Sequence, residues 1–184
     1  ESANLVETRQ GEGTFIVATP ESLVPVLSAR ISGEDSGIHL LFEARRVLEP
    51  QIAALAAERA NEDELKALDL ILTRQRKEVE SGASGIEEDT QFHMALAKAA
   101  KNEFLESLVR TLLSSLRDLR ERSVRDMSGR IRSLETHLKI FNAIKAKNEN
   151  DAVTSMISHL IEIEGGEVGA QDSLEEDEEF PPES

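Results

Sequence analysis

The sequence predicts an all-α protein: an antiparallel bundle of about seven helices, preceded by a short β-hairpin. Leu, Ala, Glu, Lys and Arg dominate, only 3% of the residues are aromatic, and Trp and Tyr are absent, a composition that favours helix over sheet. Apolar residues recur at spacings of three and four along most of the chain, as on one face of an α-helix. Short connections between such segments make neighbouring helices antiparallel.

The only convincing β pattern lies within residues 4–17. Two short apolar runs, Leu5-Val6 and Phe15-Ile16-Val17, flank a polar loop that contains glycine, which is typical of a hairpin. Two strands are not stable alone in water, so we expect the hairpin to rest on the helices or on a segment absent from this chain.

The remaining elements are predicted helices separated by Gly, Ser and Asn. The predicted ranges are 20–31, 38–60, 62–80, 86–100, 103–124, 127–147 and 150–164. Asn61 is a plausible N-cap, with Glu64 three residues on, as in a capping box. Asn102 separates the fourth and fifth predicted helices, and Pro50 should kink the second.

Charge and composition exclude several classes of protein. The net charge of −15 argues against nucleic-acid binding by this part of the protein. The absence of Cys excludes disulfides, thiolate metal sites and a Cys nucleophile. No Lys or Arg follows Lys147, and the acidic end, residues 167–184, is predicted to be a disordered tail. No apolar run approaches the length of a membrane span, so a cytoplasmic protein without a membrane partner is expected.

One aspartate and three of the four histidines can converge. Asp89 and His93 are four residues apart on one predicted helix, so their side chains share a face. His137 lies eleven residues before Asn148 and His159 eleven residues after it, which places both at the same height in an antiparallel helix pair. If the helix of Asp89 packs beside that pair, a carboxylate and three imidazoles meet.

Such a set suits Zn²⁺, Ni²⁺, Co²⁺, Mn²⁺ or Fe²⁺. Spacing alone leaves the alternative open that these are ordinary hydrogen-bonded or half-exposed histidines. His39, at the start of the second predicted helix, has no partner at a suitable spacing and is interpreted as a surface or capping residue.

Several stretches carry a family resemblance. They are residues 5–17, residues 41–50 with 56–60, residues 89–93 with 99–102, and the segments around His137 and His159. Together with the order Asp, His, His, His, they resemble the FadR-type branch of the GntR transcription regulators, with its FCD effector-binding domain. The resemblance covers nearly the whole predicted ordered length.

The resemblance implies three regions. Residues 1–18 would contain the wing of a winged helix-turn-helix whose recognition helix is not in this chain, and residues 19–166 an all-helical effector domain ahead of the acidic tail. The predicted helix at 20–31 favours the seven-helix type of that domain. Arg9, Gln10 and Gly11 match wing-tip positions that could reach DNA, although without the recognition helix they are expected to form an exposed turn.

The resemblance also implies a ligand set and partners. Asp89, His93, His137 and His159 would hold a divalent metal, with Zn²⁺ the first expectation, and a small organic acid would bind beside it or on it. Arg45 would pair with the carboxylate of that acid, although an intrahelical pair with Glu49 is an equal alternative. Operator DNA, in the full-length protein, and a homodimer complete the expected partners.

Two other functions are compatible with a metal in a helical bundle. A metal-dependent enzyme is disfavoured because no general base lies beside the predicted site and no His-Glu-x-x-His motif is present. A purely structural metal, which holds the bundle and senses nothing, remains the second alternative. The sequence predicts a regulator that is not an enzyme.

Overall fold

The computed structural model describes residues 6–9, 13–16, 35–117, 120 and 127–175, and side chains from 39 to 163 within these ranges. Two strands, β1 (Val6–Arg9) and β2 (Gly13–Ile16), pair antiparallel with Val6 opposite Ile16 and Arg9 opposite Gly13. The predicted hairpin is therefore present. The predicted helix at 20–31 lies outside the described residues.

Six helices form the described part of the bundle, so the all-α prediction is confirmed. They are α1 (Asp35–Arg59), α2 (Glu62–Ser81), α3 (Ile86–Ala99), α4 (Glu103–Ser115), α5 (Met127–Lys145) and α6 (Glu149–Glu175). α1 is central, because it packs against α3, α4, α5 and α6. None of the helices in the described ranges is long and apolar enough to cross a membrane.

Local signals in the sequence account for the helix ends. The Asn61 side chain accepts hydrogen bonds from the backbone of Asp63 and Glu64, while the Glu64 carboxylate accepts one from the Asn61 backbone, which is the predicted capping box. Asn102 caps α4 in a similar way. α1 runs through Pro50 as one continuous helix.

Two predicted helix ranges differ from the structure. α4 ends at Ser115, and a turn at Leu116 interrupts the single helix predicted over 103–124; Arg117 and Arg120 are again helical, and the other residues from 118 to 126 lie outside the described part of the chain. α6 runs to Glu175 instead of 164, so residues 167–175 of the predicted tail are helical. The segment of α6 contains no proline that would break the helix, and the next proline in the sequence is Pro181. Residues 176–184 lie outside the described part of the chain.

The core lies where α1, α3, α5 and α6 meet. Alanines on α1 let the neighbouring helices approach closely, and Ala53, Ala56 and Ala57 have no exposed surface. Phe92 of α3 and Leu160 of α6 are equally buried. At about 25 cal/mol per Å² of apolar surface, such side chains each contribute about 1.5–3 kcal/mol. The same contacts hold the backbone positions of the polar cluster described next.

Candidate metal centre

The structure brings together the four residues singled out by spacing. Asp89, His93, His137 and His159 are all buried, and one potential ligand atom from each lies within 4.8 Å of the others. The antiparallel pair of α5 and α6 sets His137 and His159 at the same height, with ring centroids 4.5 Å apart. α3 supplies the other two from one face, as the spacing of four predicted.

The inner atoms of the cluster are Nε2 of each histidine and Oδ1 of Asp89. Nε2 of His93 lies 3.2 Å from Nε2 of His159, and Nε2 of His137 lies 3.4 Å from Oδ1 of Asp89. His137 Nε2 is buried and forms no hydrogen bond within the described ranges. A buried polar atom without a hydrogen bond is costly, and a cation bound among these residues would give this atom a partner.

Each imidazole contacts a polar side chain through Nδ1, the ring nitrogen that faces away from the cluster. Nδ1 of His137 lies 2.9 Å from Oε1 of Gln75, and Nδ1 of His93 contacts the Glu49 carboxylate. Both partners present acceptor oxygens, so both Nδ1 atoms are best placed to carry a proton, although the contact between His93 and Glu49 lacks hydrogen-bond geometry. Their Nε2 atoms then carry lone pairs that point into the cluster.

His159 is oriented by Thr136. The Thr136 hydroxyl lies 2.8 Å from Nδ1 of His159 and 2.8 Å from the carbonyl oxygen of Arg132. If Thr136 donates its hydroxyl proton to the Arg132 carbonyl, the Thr136 oxygen can accept a hydrogen bond from Nδ1 of His159. The third Nε2 therefore also carries a lone pair. Three inward lone pairs and a carboxylate repel one another unless a cation lies between them, so these residues fit a divalent metal.

The carboxylate is fixed on both sides. Arg120 contacts Oδ2 of Asp89, while the Ser133 hydroxyl donates to Oδ1 over 3.1 Å. Burial alone would raise the pKa of Asp89, but the Arg120 guanidinium and the three histidines hold it well below its ordinary value. Asp89 is therefore ionised at neutral pH, the form that binds metals.

His137 and His159 are neutral for a related reason. Burial lowers the pKa of His137 to about 3, although the Asp89 carboxylate acts in the opposite direction. Burial, reinforced by His137 and His93, also lowers the pKa of His159 well below its ordinary value. Phe92 stacks on the ring of His137 with centroids 4.3 Å apart, which restrains the plane of that ring.

Arg45 is buried beside the cluster, at 1% exposure, and its Nε donates to Oε1 of Glu49 over 2.5 Å. The intrahelical pair that the spacing of four predicts is thus present. Of the predicted wing-tip residues, Arg9 ends β1, and Gln10 and Gly11 lie outside the described residues. His39 is exposed, in keeping with a surface role.

Sequence reasoning missed most of the supporting residues. These are Glu49 on α1, Gln75 on α2, Ser133 and Thr136 on α5, and Arg120 between α4 and α5. Gln75 could have been found, because it interrupts the apolar stripe of α2 at a position where an apolar residue is expected. Arg120 does not interrupt an apolar stripe in this way, so the sequence around it does not mark it as a supporting residue.

Gln75 gives a test of the outer shell. Its Nε2 lies 3.3 Å from Ser133 Oγ, so its amide links His137 to the serine that bonds Asp89. Gln75→Met removes the acceptor that fixes the tautomer of His137, and we expect Zn²⁺ affinity to fall about 10–100-fold. Gln75→Glu keeps an acceptor and should bind more tightly than Gln75→Met in the same competition titration. Equal affinities for the two variants would contradict this role.

Comparison with known proteins identifies the family. The FCD domain model matches residues 40–162, which contain all four clustered residues. The chain is 32% identical over 166 residues to the HTH-type transcriptional regulator LutR of Bacillus subtilis, covering 87% of this chain and 76% of that protein. It is 31% identical over 166 residues to the Uxu operon regulator of Haemophilus influenzae, covering 87% of this chain and 61% of that protein.

A solved structure agrees with this assignment. The Streptococcus agalactiae GntR structure matches with a TM-score of 0.65 and 30% identity, covering 88% of this chain and 74% of that chain. These relatives are named as regulators and not as enzymes, in line with the sequence prediction. The chain belongs to the GntR family of transcriptional regulators and carries the FCD domain of that family.

Proposed function

We propose that this chain is the effector-binding part of a ligand-responsive transcription regulator, which holds a divalent metal and senses a small organic acid. Asp89, His93, His137 and His159 are the proposed metal ligands. The observation that carries the proposal is the convergence of three Nε2 atoms and one carboxylate oxygen, each backed by a fixed outer partner. Zn²⁺ suits three imidazoles and a carboxylate, and Ni²⁺, Co²⁺, Mn²⁺ and Fe²⁺ are the alternatives.

The balance of buried charge supports an anionic effector. The buried ionic side chains in the described ranges are Arg45, Arg120, Glu49 and Asp89, two of each sign. A divalent ion would add two positive charges that nothing among these residues offsets. Because an uncompensated buried charge is costly, the loaded site favours an anion. The metal would supply a Lewis-acid anchor for one carboxylate oxygen.

Arg45 is the proposed second contact for the acid. A guanidinium presents its donors in a planar fork that matches a carboxylate. Arg45 is buried on the central helix, and Glu49 contacts both Arg45 and His93. An anion that reaches Arg45 would therefore also lie near His93. We infer that metal and arginine bind the same molecule.

The output of the sensor would be DNA binding by a homodimer in the cytoplasm. We propose that the β1–β2 hairpin is the wing of a winged helix-turn-helix, because Arg9, Gln10 and Gly11 match wing-tip positions in the sequence. The chain spans 61% of the length of the Haemophilus influenzae regulator, so its DNA-reading function is inferred for the full-length protein. A ligand controls such a dimer only if it binds one arrangement of the subunits better than another.

Calorimetry tests the effector proposal. We expect the Zn²⁺-loaded protein to bind at least one of lactate, pyruvate, glycolate and gluconate, and to bind it more weakly by about tenfold or more after Arg45→Ala, because a charge-assisted contact is lost. Arg46→Ala, the exposed neighbour on the same helix, is the control and should leave binding unchanged.

The rival functions give different results. Failure of all four acids to bind, or equal binding by the Arg45→Ala variant, would leave the structural-metal alternative and reject the sensor as described. Turnover of an acid by the purified protein would support the enzyme alternative.

A further inference from the structure

Glu49 joins the candidate effector contact to the candidate metal centre. It is 2% exposed and lies on α1, four residues after Arg45. One carboxylate oxygen, Oε1, accepts from Nε of Arg45 over 2.5 Å, and the other, Oε2, contacts Nδ1 of His93. No sequence motif assigned a role to this residue beyond an intrahelical pair.

The contact of Glu49 with both Arg45 and His93 affects how strongly His93 would bind a metal. A carboxylate that faces the Nδ1–H of an imidazole raises the electron density at Nε2 and makes it a stronger ligand. The negative charge of Glu49 is shared here between His93 and the Arg45 guanidinium. Whatever draws Arg45 away from Glu49 leaves more of that charge to act on His93.

We propose that Glu49 is a positioning residue that transmits the state of Arg45 to the metal through His93. An organic anion that engages Arg45 would tighten the hold of His93 on the metal. Since binding coupling is reciprocal, the metal would tighten the hold of the protein on the anion by the same factor. The inference rests on the proposed function, and it identifies the route by which the two halves of that site are coupled.

A double-mutant cycle with Zn²⁺ as the only probe tests the route. Arg45→Gln imitates an arginine whose charge is taken up by an anion, and we expect it to raise Zn²⁺ affinity about tenfold. Glu49→Gln removes the negative charge behind His93 and should lower the affinity about tenfold or more. In the Glu49→Gln background, Arg45→Gln should change the affinity less than about threefold.

The cycle separates the route through Glu49 from simple repulsion. Direct repulsion between Arg45 and the metal would raise the affinity equally in both backgrounds, and that additive result would overturn the proposal. Glu106 and Arg110 form a surface pair at the same spacing on α4, and Glu106→Gln and Arg110→Gln are the matched controls. They should leave Zn²⁺ affinity unchanged within about twofold.

A spectroscopic readout covers the case in which Arg45→Gln does not fold. Arg45→Lys keeps the charge but loses the Nε–H that faces Glu49, so the Nδ1 proton of His93 should move downfield in NMR spectra of the Zn²⁺-loaded protein. An unmoved resonance would count against the coupling. If the unmodified protein binds no stoichiometric Zn²⁺, the proposed function itself fails; if it binds Zn²⁺ but the cycle is additive, only the coupling through Glu49 fails.

Discussion

Replacing His137 by alanine is expected to abolish stoichiometric metal binding. The substitution removes one of four ligands, and it removes the one whose Nε2 has no hydrogen bond within the described residues. Loss of one of the four proposed ligands should weaken Zn²⁺ binding by more than the about 10–100-fold that loss of an outer-shell partner causes. Elemental analysis after dialysis against metal-free buffer measures the effect. His159→Ala should give the same result, because both imidazoles face the same centre.

A matched control makes this test specific. His39→Ala also removes one imidazole from a helix, but His39 is exposed and lies outside the cluster. The control should retain one equivalent of metal per chain. Circular dichroism of each variant shows whether the helices survive, since the bundle core of Ile140, Ile144 and Leu160 is untouched by the substitution. Full metal content in a folded His137→Ala protein would reject the four-ligand proposal.

The fold could be predicted from the sequence because its signals are local. Helix periodicity, the Asn61 capping box and the break at Asn102 all act within a few residues, and each has the predicted consequence. Two helix ranges differ from what the local signals predicted. A turn at Leu116 interrupts the helix predicted over 103–124, and α6 runs on to Glu175.

The inner site could be predicted, whereas its surroundings could not. The four proposed ligands are related by helix pitch and by the symmetry of one antiparallel pair, which sequence spacing expresses directly. Gln75 and Arg120 reach the cluster from other elements, and their positions depend on how α2 and the segment after α4 pack against α3. Packing angles between helices are decided by side-chain shape over many contacts, and no spacing rule encodes them.

Glu49 shows the limit most clearly. Its spacing of four from Arg45 predicts an intrahelical pair, and such a pair is an alternative to contact between Arg45 and an effector. The structure has the pair and also places the second oxygen of the same carboxylate on His93. A salt bridge within a helix and a contact to a ligand on another helix are compatible, because a carboxylate has two oxygens and four lone pairs.

Removing the metal is expected to destabilise the protein strongly. Without a cation, inward lone pairs lie 3.2 Å apart between His93 and His159, and His137 Nε2 is buried without a hydrogen bond in the described part of the chain. A ligand that binds only the folded state at a thousand times its Kd contributes about 4 kcal/mol. For a domain of this size, that corresponds to a rise in Tm on the order of 10 °C.

Differential scanning calorimetry of metal-free and Zn²⁺-loaded protein measures this difference. Mg²⁺ is the control ion, since it prefers oxygen ligands and should leave Tm unchanged. The His137→Ala protein should also show no increase with Zn²⁺. Because the proposed ligands come from α3, α5 and α6, a bound ion would hold these three helices in one arrangement and oppose their separation. Equal Tm values with and without Zn²⁺ would mean that the cluster is already satisfied in the metal-free fold, and that its histidines serve the core instead of an ion.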